Sequence, residues 1–147
     1  MTTQLTGASI SGLDIASNTR STEVSITATS SATGNTCIST GAFSISNISG
    51  PGEGVYYVQV FAPYLTIGST NLDVELWDGS TFLSSLSGHM AASVARPGST
   101  MTVRATLAQG SHNLTVKAFV DAGTGKFGAG DGATGDAPNA FIRVVTS

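Results

Sequence analysis

The stretch Ser111-His-Asn-Leu-Thr-Val-Lys-Ala-Phe-Val-Asp121 decides the fold class of this chain. Every second residue in its centre is apolar, and most of the residues between them are polar. The apolar positions are Leu114, Val116, Ala118 and Val120. A period of two places successive side chains on opposite faces of a sheet, whereas a helix needs a period of 3.6. The stretch therefore predicts a half-buried β-strand.

The same alternation recurs along the rest of the chain. It is found in Glu23–Thr29, Thr36–Ile45, Gly54–Ala62, Asn71–Trp77, Thr100–Leu107 and Ala140–Thr146. Asp78-Gly79 is a hairpin signal, with Thr81–Leu86 as the returning strand. None of these segments shows helical spacing. We expect one all-β domain of about eight or nine antiparallel strands, arranged as a two-sheet β-sandwich with jelly-roll topology.

The N-terminal segment differs in character from the rest. Residues 1–20 are polar and rich in glycine, serine and threonine, with a few separated aliphatic side chains. These are Leu5, Ile10, Leu13 and Ile15. Such a segment buries little by itself, so we expect an extended arm that is mobile or orders against a partner. The predicted domain boundary places the arm at 1–20 and the sandwich at 21–147.

Composition narrows the classes of function. Charged residues make up 10% of the 147 positions, and the net charge is −3. Serine and threonine together fill about 40 positions, so hydroxyl groups rather than charges hydrate the surface. The six Lys and Arg are scattered, which argues against a nucleic-acid partner. Cys37 is the single cysteine, and the N-terminus does not resemble a signal peptide, so we expect folding in a reducing cytoplasm. No apolar run is long enough to span a membrane.

The strand Gly54–Ala62 is apolar on both faces. Tyr56, Val58 and Val60 form one face and supply the core. The other face holds Val55, Tyr57 and Phe61. Leaving the second face in water would expose an apolar patch unusual for a monomer, so we expect these three side chains at a subunit interface.

The loop Asp121–Asn139 invites two chemical interpretations. Its Gly123–Gly128 segment matches G-x-G-x-x-G, but nothing helical follows to hold a pyrophosphate, so no nucleotide cofactor is expected. Asp121, Asp131 and Asp136 lie among glycines, loosely as in a calcium loop. The spacing of known calcium motifs is absent, and a solvated loop is the preferred interpretation.

Enzymatic function has little support in the sequence. Neither His89 nor His112 lies in a catalytic signature, and His112 is expected to be a surface or interface residue. Asp73 and Glu75 share one strand face, but a polar strand face explains them by solvation. We therefore expect a protein that is not an enzyme and has no cofactor or metal.

The C-terminal third carries a family resemblance. Three features occur in order: Gly110-Ser111-His112 at the start of a strand, the loop Gly123-Thr124-Gly125, and the terminal strand Pro138–Val144. Together they resemble the last three strands of small jelly-roll proteins of tailed-bacteriophage virions, which occur as capsid decoration, head-fibre and minor tail proteins. Val60-Phe61-Ala62-Pro63 and the segment Leu72–Gly79 also look similar. The resemblance covers roughly residues 23–146.

The resemblance implies a structural virion protein made in the host cytoplasm. The decoration role implies binding to the major capsid protein on the outer shell, with the arm residues as capsid contacts. A more distant likeness to tumour-necrosis-factor and C1q-like jelly rolls implies a homotrimer. Two alternatives stay open: a minor tail or fibre protein that binds a host receptor or glycan, and a hydrolytic tail enzyme. Exposed aromatic side chains near Trp77 and Phe127 would favour receptor binding.

Overall fold

The computed structural model describes residues 14–20, 23–45, 54–62, 64–67, 71–89, 99–128 and 139–146. Within these ranges the chain forms strands and one short 3-10 turn, Ser31–Thr33. The strands are β1 (Asp14–Arg20), β2 (Val24–Ile26), β3 (Asn35–Ser39), β4 (Phe43–Ile45), β5 (Val55–Ala62), β6 (Tyr64–Ile67), β7 (Asn71–Asp78), β8 (Thr81–His89), β9 (Ser99–Thr106), β10 (Gly110–His112), β11 (Leu114–Val120), β12 (Gly125–Gly128) and β13 (Ala140–Thr146).

Two four-stranded antiparallel sheets form a β-sandwich, which confirms the prediction of an all-β sandwich. The first sheet has the order β1-β13-β5-β9, and the second has the order β3-β11-β7-β8. Their inner faces share one hydrophobic core. Its fully buried side chains include Val58, Ile142 and Val144 from the first sheet, and Leu76, Leu114 and Val116 from the second.

The pairing of the long strands is nested. β1 pairs with β13, β3 with β11, β5 with β9, and β7 with β8, all antiparallel. The chain thus behaves as one long hairpin whose tip is the β7–β8 turn. Two further antiparallel pairs complete the sheets. β13 pairs with β5 in the first sheet, and β11 pairs with β7 in the second. This order was not predictable from the alternation alone.

The three segments that pass between the sheets form a small sheet of their own. β2 follows β1 and precedes β3, β6 lies between β5 and β7, and β12 lies between β11 and β13. They pair in the order β2-β12-β6. Ile26 of β2 and Phe127 of β12 are fully buried in the common core. The crossing segments therefore extend the core instead of forming loose loops.

The predicted arm boundary is wrong for residues 14–20. They form β1 at the edge of the first sheet, where Thr19 lies opposite Phe141 and Ser17 opposite Arg143. The side-chain amide of Asn18 also donates a hydrogen bond to the carbonyl of Ser39 in β3. An edge strand is held mainly by backbone hydrogen bonds to one neighbour and can carry polar side chains. The polar sequence of β1 therefore gave no alternation from which a strand could be predicted. Of the four predicted contact residues of the arm, Ile15 lies within β1. The other three, Leu5, Ile10 and Leu13, lie outside the described residues.

Two predicted strands are each divided in two. Thr36–Ile45 is broken between β3 and β4 at Gly41, whose φ of 70° is a left-handed conformation that glycine adopts readily. Ser111–Asp121 is broken between β10 and β11 at Asn113. The predicted hairpin at Asp78-Gly79 is confirmed, with Gly79 at a φ of 54°.

Candidate subunit-contact face

The outer face of the first sheet carries the residues predicted to form a subunit interface. In β5, Tyr56, Val58 and Val60 are buried in the core, which confirms the predicted register. Tyr57 therefore points outward, with 38% of its surface exposed. Val55 and Phe61 share its face and are each half-buried.

The neighbouring strand β13 extends this apolar surface. Phe141 lies opposite Phe61, and Val145 lies opposite Tyr57. The two phenyl rings are in contact, with centroids 5.4 Å apart and an interplanar angle of 35°. We call the five side chains Val55, Tyr57, Phe61, Phe141 and Val145 the aromatic face. Phe141 and Val145 were not predictable as part of this face, because only the strand order shows that β13 lies beside β5.

A polar pair lies inside the aromatic face. Arg143 donates a hydrogen bond from Nε to Oε1 of Gln59 over 2.8 Å. The same guanidinium lies 5.9 Å from the centroid of the Phe141 ring, within the range of a cation–π interaction. Arginine, tyrosine and phenylalanine side chains are enriched at the centres of protein interfaces. The arrangement therefore has the residue types of a contact surface.

The strands at both edges of the first sheet give this face a polar rim. On β9, Thr100, Thr102 and Arg104 lie opposite Phe61, Gln59 and Tyr57. All three are exposed, as are Ser17 and Thr19 on β1. An apolar centre with a hydrated margin is the usual anatomy of a protein–protein interface.

The glycine-rich loop does not provide a phosphate site in its described part. Gly125–Gly128 is strand β12 rather than the start of a helix, so the helix N-terminus that a dinucleotide motif needs is not formed there. Lys126 in this strand forms an ion pair with Glu23, with Nζ 2.9 Å from Oε1.

No metal site is assembled among the described residues. They contain no group of three or more His, Cys, Asp and Glu side chains that could hold an ion. The side-chain amide of Asn71 donates a hydrogen bond to the carboxylate of Asp121. Asp131 and Asp136 lie outside the described residues. Among the described residues, no helix is long and apolar enough to cross a membrane.

His112, expected at the surface or at an interface, is half-buried and hydrogen-bonded to neighbouring segments of the chain. Its Nδ1 lies 2.7 Å from Oδ2 of Asp78, and its Nε2 lies 2.7 Å from the carbonyl oxygen of Ala108. Oδ1 of Asp78 accepts a hydrogen bond from the backbone N–H of Asn113. The ring also contacts Phe43 at a centroid distance of 5.8 Å. Burial opposes protonation of His112, but the hydrogen bonds to Asp78 and Ala108 and the charge of Asp78 outweigh it and raise the pKa.

The two aromatic positions near which exposed rings would favour receptor binding have different environments. Phe127 is fully buried in the core and is not available to a ligand. Trp77 lies on the outer face of the second sheet and is partly exposed.

The sequence matches no protein-family model, and no curated protein matches it.

Proposed function

We propose that this protein is a structural subunit of a tailed-bacteriophage virion, a capsid decoration protein that assembles as a homotrimer and has no enzymatic activity. The observation that carries the proposal is the aromatic face. It places five half-buried or exposed apolar side chains on the outer side of the first sheet, and Arg143 lies between them. The inner side of the same sheet already packs in the hydrophobic core.

The strand order supports the jelly-roll part of the proposal. A jelly roll is an eight-stranded, two-sheet structure built from two Greek keys, and it is common in viral capsid proteins. The eight strands of the two sheets pair first with eighth, second with seventh, third with sixth and fourth with fifth. This is the nesting that results when one long hairpin wraps around a barrel.

The composition of the aromatic face favours another copy of the same chain as its partner. The outer residues of β5, β9 and β13 are apolar or hydroxylic apart from Gln59, Arg143 and the rim residue Arg104, and only the two arginines are charged. A face with few charges does not require a partner of opposite charge. Decoration would then need a second surface, which we assign to the N-terminal residues Leu5, Ile10 and Leu13, with the major capsid protein as partner.

Capsid binding of this kind acts through buried area. A protein that binds only the assembled shell stabilises it in proportion to its occupancy, without any reaction. Standard interfaces bury about 800 Å² on each partner.

A density map of the assembled particle tests the location. We expect density for three copies of the sandwich around a local threefold axis on the outer capsid surface, with the first sheets facing one another. Density for the chain on the tail or its fibres would instead support the alternative role as a minor tail or fibre protein. Absence of the chain from purified particles would contradict both roles.

A further inference from the structure

The outer face of the second sheet carries a second aromatic site, separate from the aromatic face. Trp77 near the end of β7 lies directly opposite Phe82 of β8. Their ring centroids are 5.5 Å apart, and the rings are nearly perpendicular, at 74°. Phe82 has 49% of its surface exposed, more than Tyr57 on the other sheet.

The indole of Trp77 is held in place by three elements. Its Nε1–H donates a hydrogen bond to Oε2 of Glu75 over 2.9 Å. The same carboxylate oxygen accepts a 2.6 Å hydrogen bond from the Ser31 hydroxyl in the 3-10 turn. From β11, the Lys117 ammonium lies 5.0 Å from the centroid of the indole ring. Glu75 is only 9% exposed, so this network fixes the rotamer of Trp77 and gives Phe82 a rigid neighbour.

Polar groups surround the two rings. Thr115 lies opposite Trp77, and Ser39 lies opposite Thr115 one strand further away. On the other side, Ser85 lies opposite Glu75 and is exposed. Two aromatic rings within a hydroxyl-rich surface offer far less apolar area than the roughly 800 Å² per partner of a stable protein interface. The size of the site therefore suits a small ligand with one apolar face and a polar periphery.

We propose that this site binds a neutral saccharide, with a pyranose ring stacked on the exposed Phe82 ring beside Trp77. One face of a pyranose consists of C–H groups, which the electron-rich face of an aromatic ring attracts, and its hydroxyls project around the edge. The Lys117 ammonium over the indole, and the hydroxyls of Thr115 on β11 and Ser85 on β8, are the groups of this face that can bond those hydroxyls. One ammonium and one carboxylate balance the charge of the site, which favours an uncharged sugar.

The proposal does not depend on the virion assignment. The two outer faces lie on opposite sides of the sandwich, so a contact through the first sheet leaves Phe82 accessible. Saccharide binding and oligomer formation can therefore fail separately in experiments.

Trp77 is the only tryptophan in the chain, so its fluorescence reports directly on this site. The full-length protein is titrated with maltohexaose, cellohexaose and chitotetraose, with free N-acetyltryptophanamide as the blank. We expect at least one of the three to give a saturable change in emission in the millimolar range. Phe82→Ala should weaken that binding by about tenfold, or about 1.4 kcal/mol, because it removes the ring on which the sugar stacks.

Two variants serve as controls. Phe82→Tyr keeps the ring and should bind within about twofold of the wild type. Tyr57→Ala removes an exposed ring from the opposite sheet and should leave the titration unchanged. The proposal is overturned if none of the three saccharides changes Trp77 emission saturably in the wild-type protein. It is equally overturned if folded Phe82→Ala binds as tightly as the wild type.

Discussion

The two ring nitrogens of His112 both face oxygen acceptors, and only the doubly protonated imidazolium can donate to both at once. The residue connects β10 to the end of β7 through Asp78 and to the β9–β10 connection through Ala108. Because the folded state raises the pKa of His112, protonation and folding are coupled.

The sign of this coupling gives a pH prediction. The stabilisation is fully present below the unfolded pKa of about 6.5, and it is lost as pH rises through the higher folded value. We therefore expect the difference in unfolding free energy between wild type and His112→Gln to be larger at about pH 5.5 than at about pH 8.5. Urea denaturation at both pH values measures it. Asp78→Asn should reduce the same pH dependence, and a difference that grows with pH would contradict the assignment.

Cys37 gives a second prediction at the residue scale. The thiol is fully buried, and burial raises its pKa to about 12, although Arg20 acts in the opposite direction. The reactive thiolate is therefore scarce at neutral pH, and access to it requires opening of the core. We expect negligible labelling by Ellman's reagent in the native protein and one thiol per chain in guanidinium chloride. Rapid labelling of the native protein would show that the core around β3 is open.

At the scale of the element, β11 shows why its alternation was informative. It lies between β3 and β7, so its inner side chains meet the core while its outer side chains lie on the second sheet's surface. Leu114, Val116 and Ala118 are all fully buried. A central strand with one face in the core must alternate, and this strand was predictable for that reason. The edge strand β1 has no such requirement, and it was predicted as part of an arm.

The two faces of β11 should respond differently to truncation. Leu114→Ala should lower the unfolding free energy by about 2–5 kcal/mol, because it leaves a cavity in a packed core. The neighbouring Thr115→Ala changes an outer position and should cost at most about 1 kcal/mol. Chemical denaturation of both variants provides the measurement. Equal losses would mean that the strand is covered on both faces or that its register is shifted.

At the scale of the whole molecule, the sequence predicted the fold class and the outward residues of β5 but not their neighbours. The register of Tyr57 and Phe61 followed from the apolar side chains between them. Their contact with β13 depends on which strands pair, and pairing between residues 80 to 88 positions apart leaves no local signal. The Trp77–Phe82 pair is the exception, because a short hairpin joins its two strands.

Light scattering of the purified protein tests most directly whether the aromatic face joins subunits. We expect the wild type to have three times the mass of one chain. Tyr57→Ala combined with Phe61→Ala should shift it to monomer and weaken oligomerisation more than the fold of each subunit, since each interface anchor contributes on the order of 2 kcal/mol or more. Phe82→Ala removes a more exposed ring from the other sheet and should stay trimeric. A wild type that remains monomeric at high concentration, or a double variant that still assembles fully, would contradict the proposed interface.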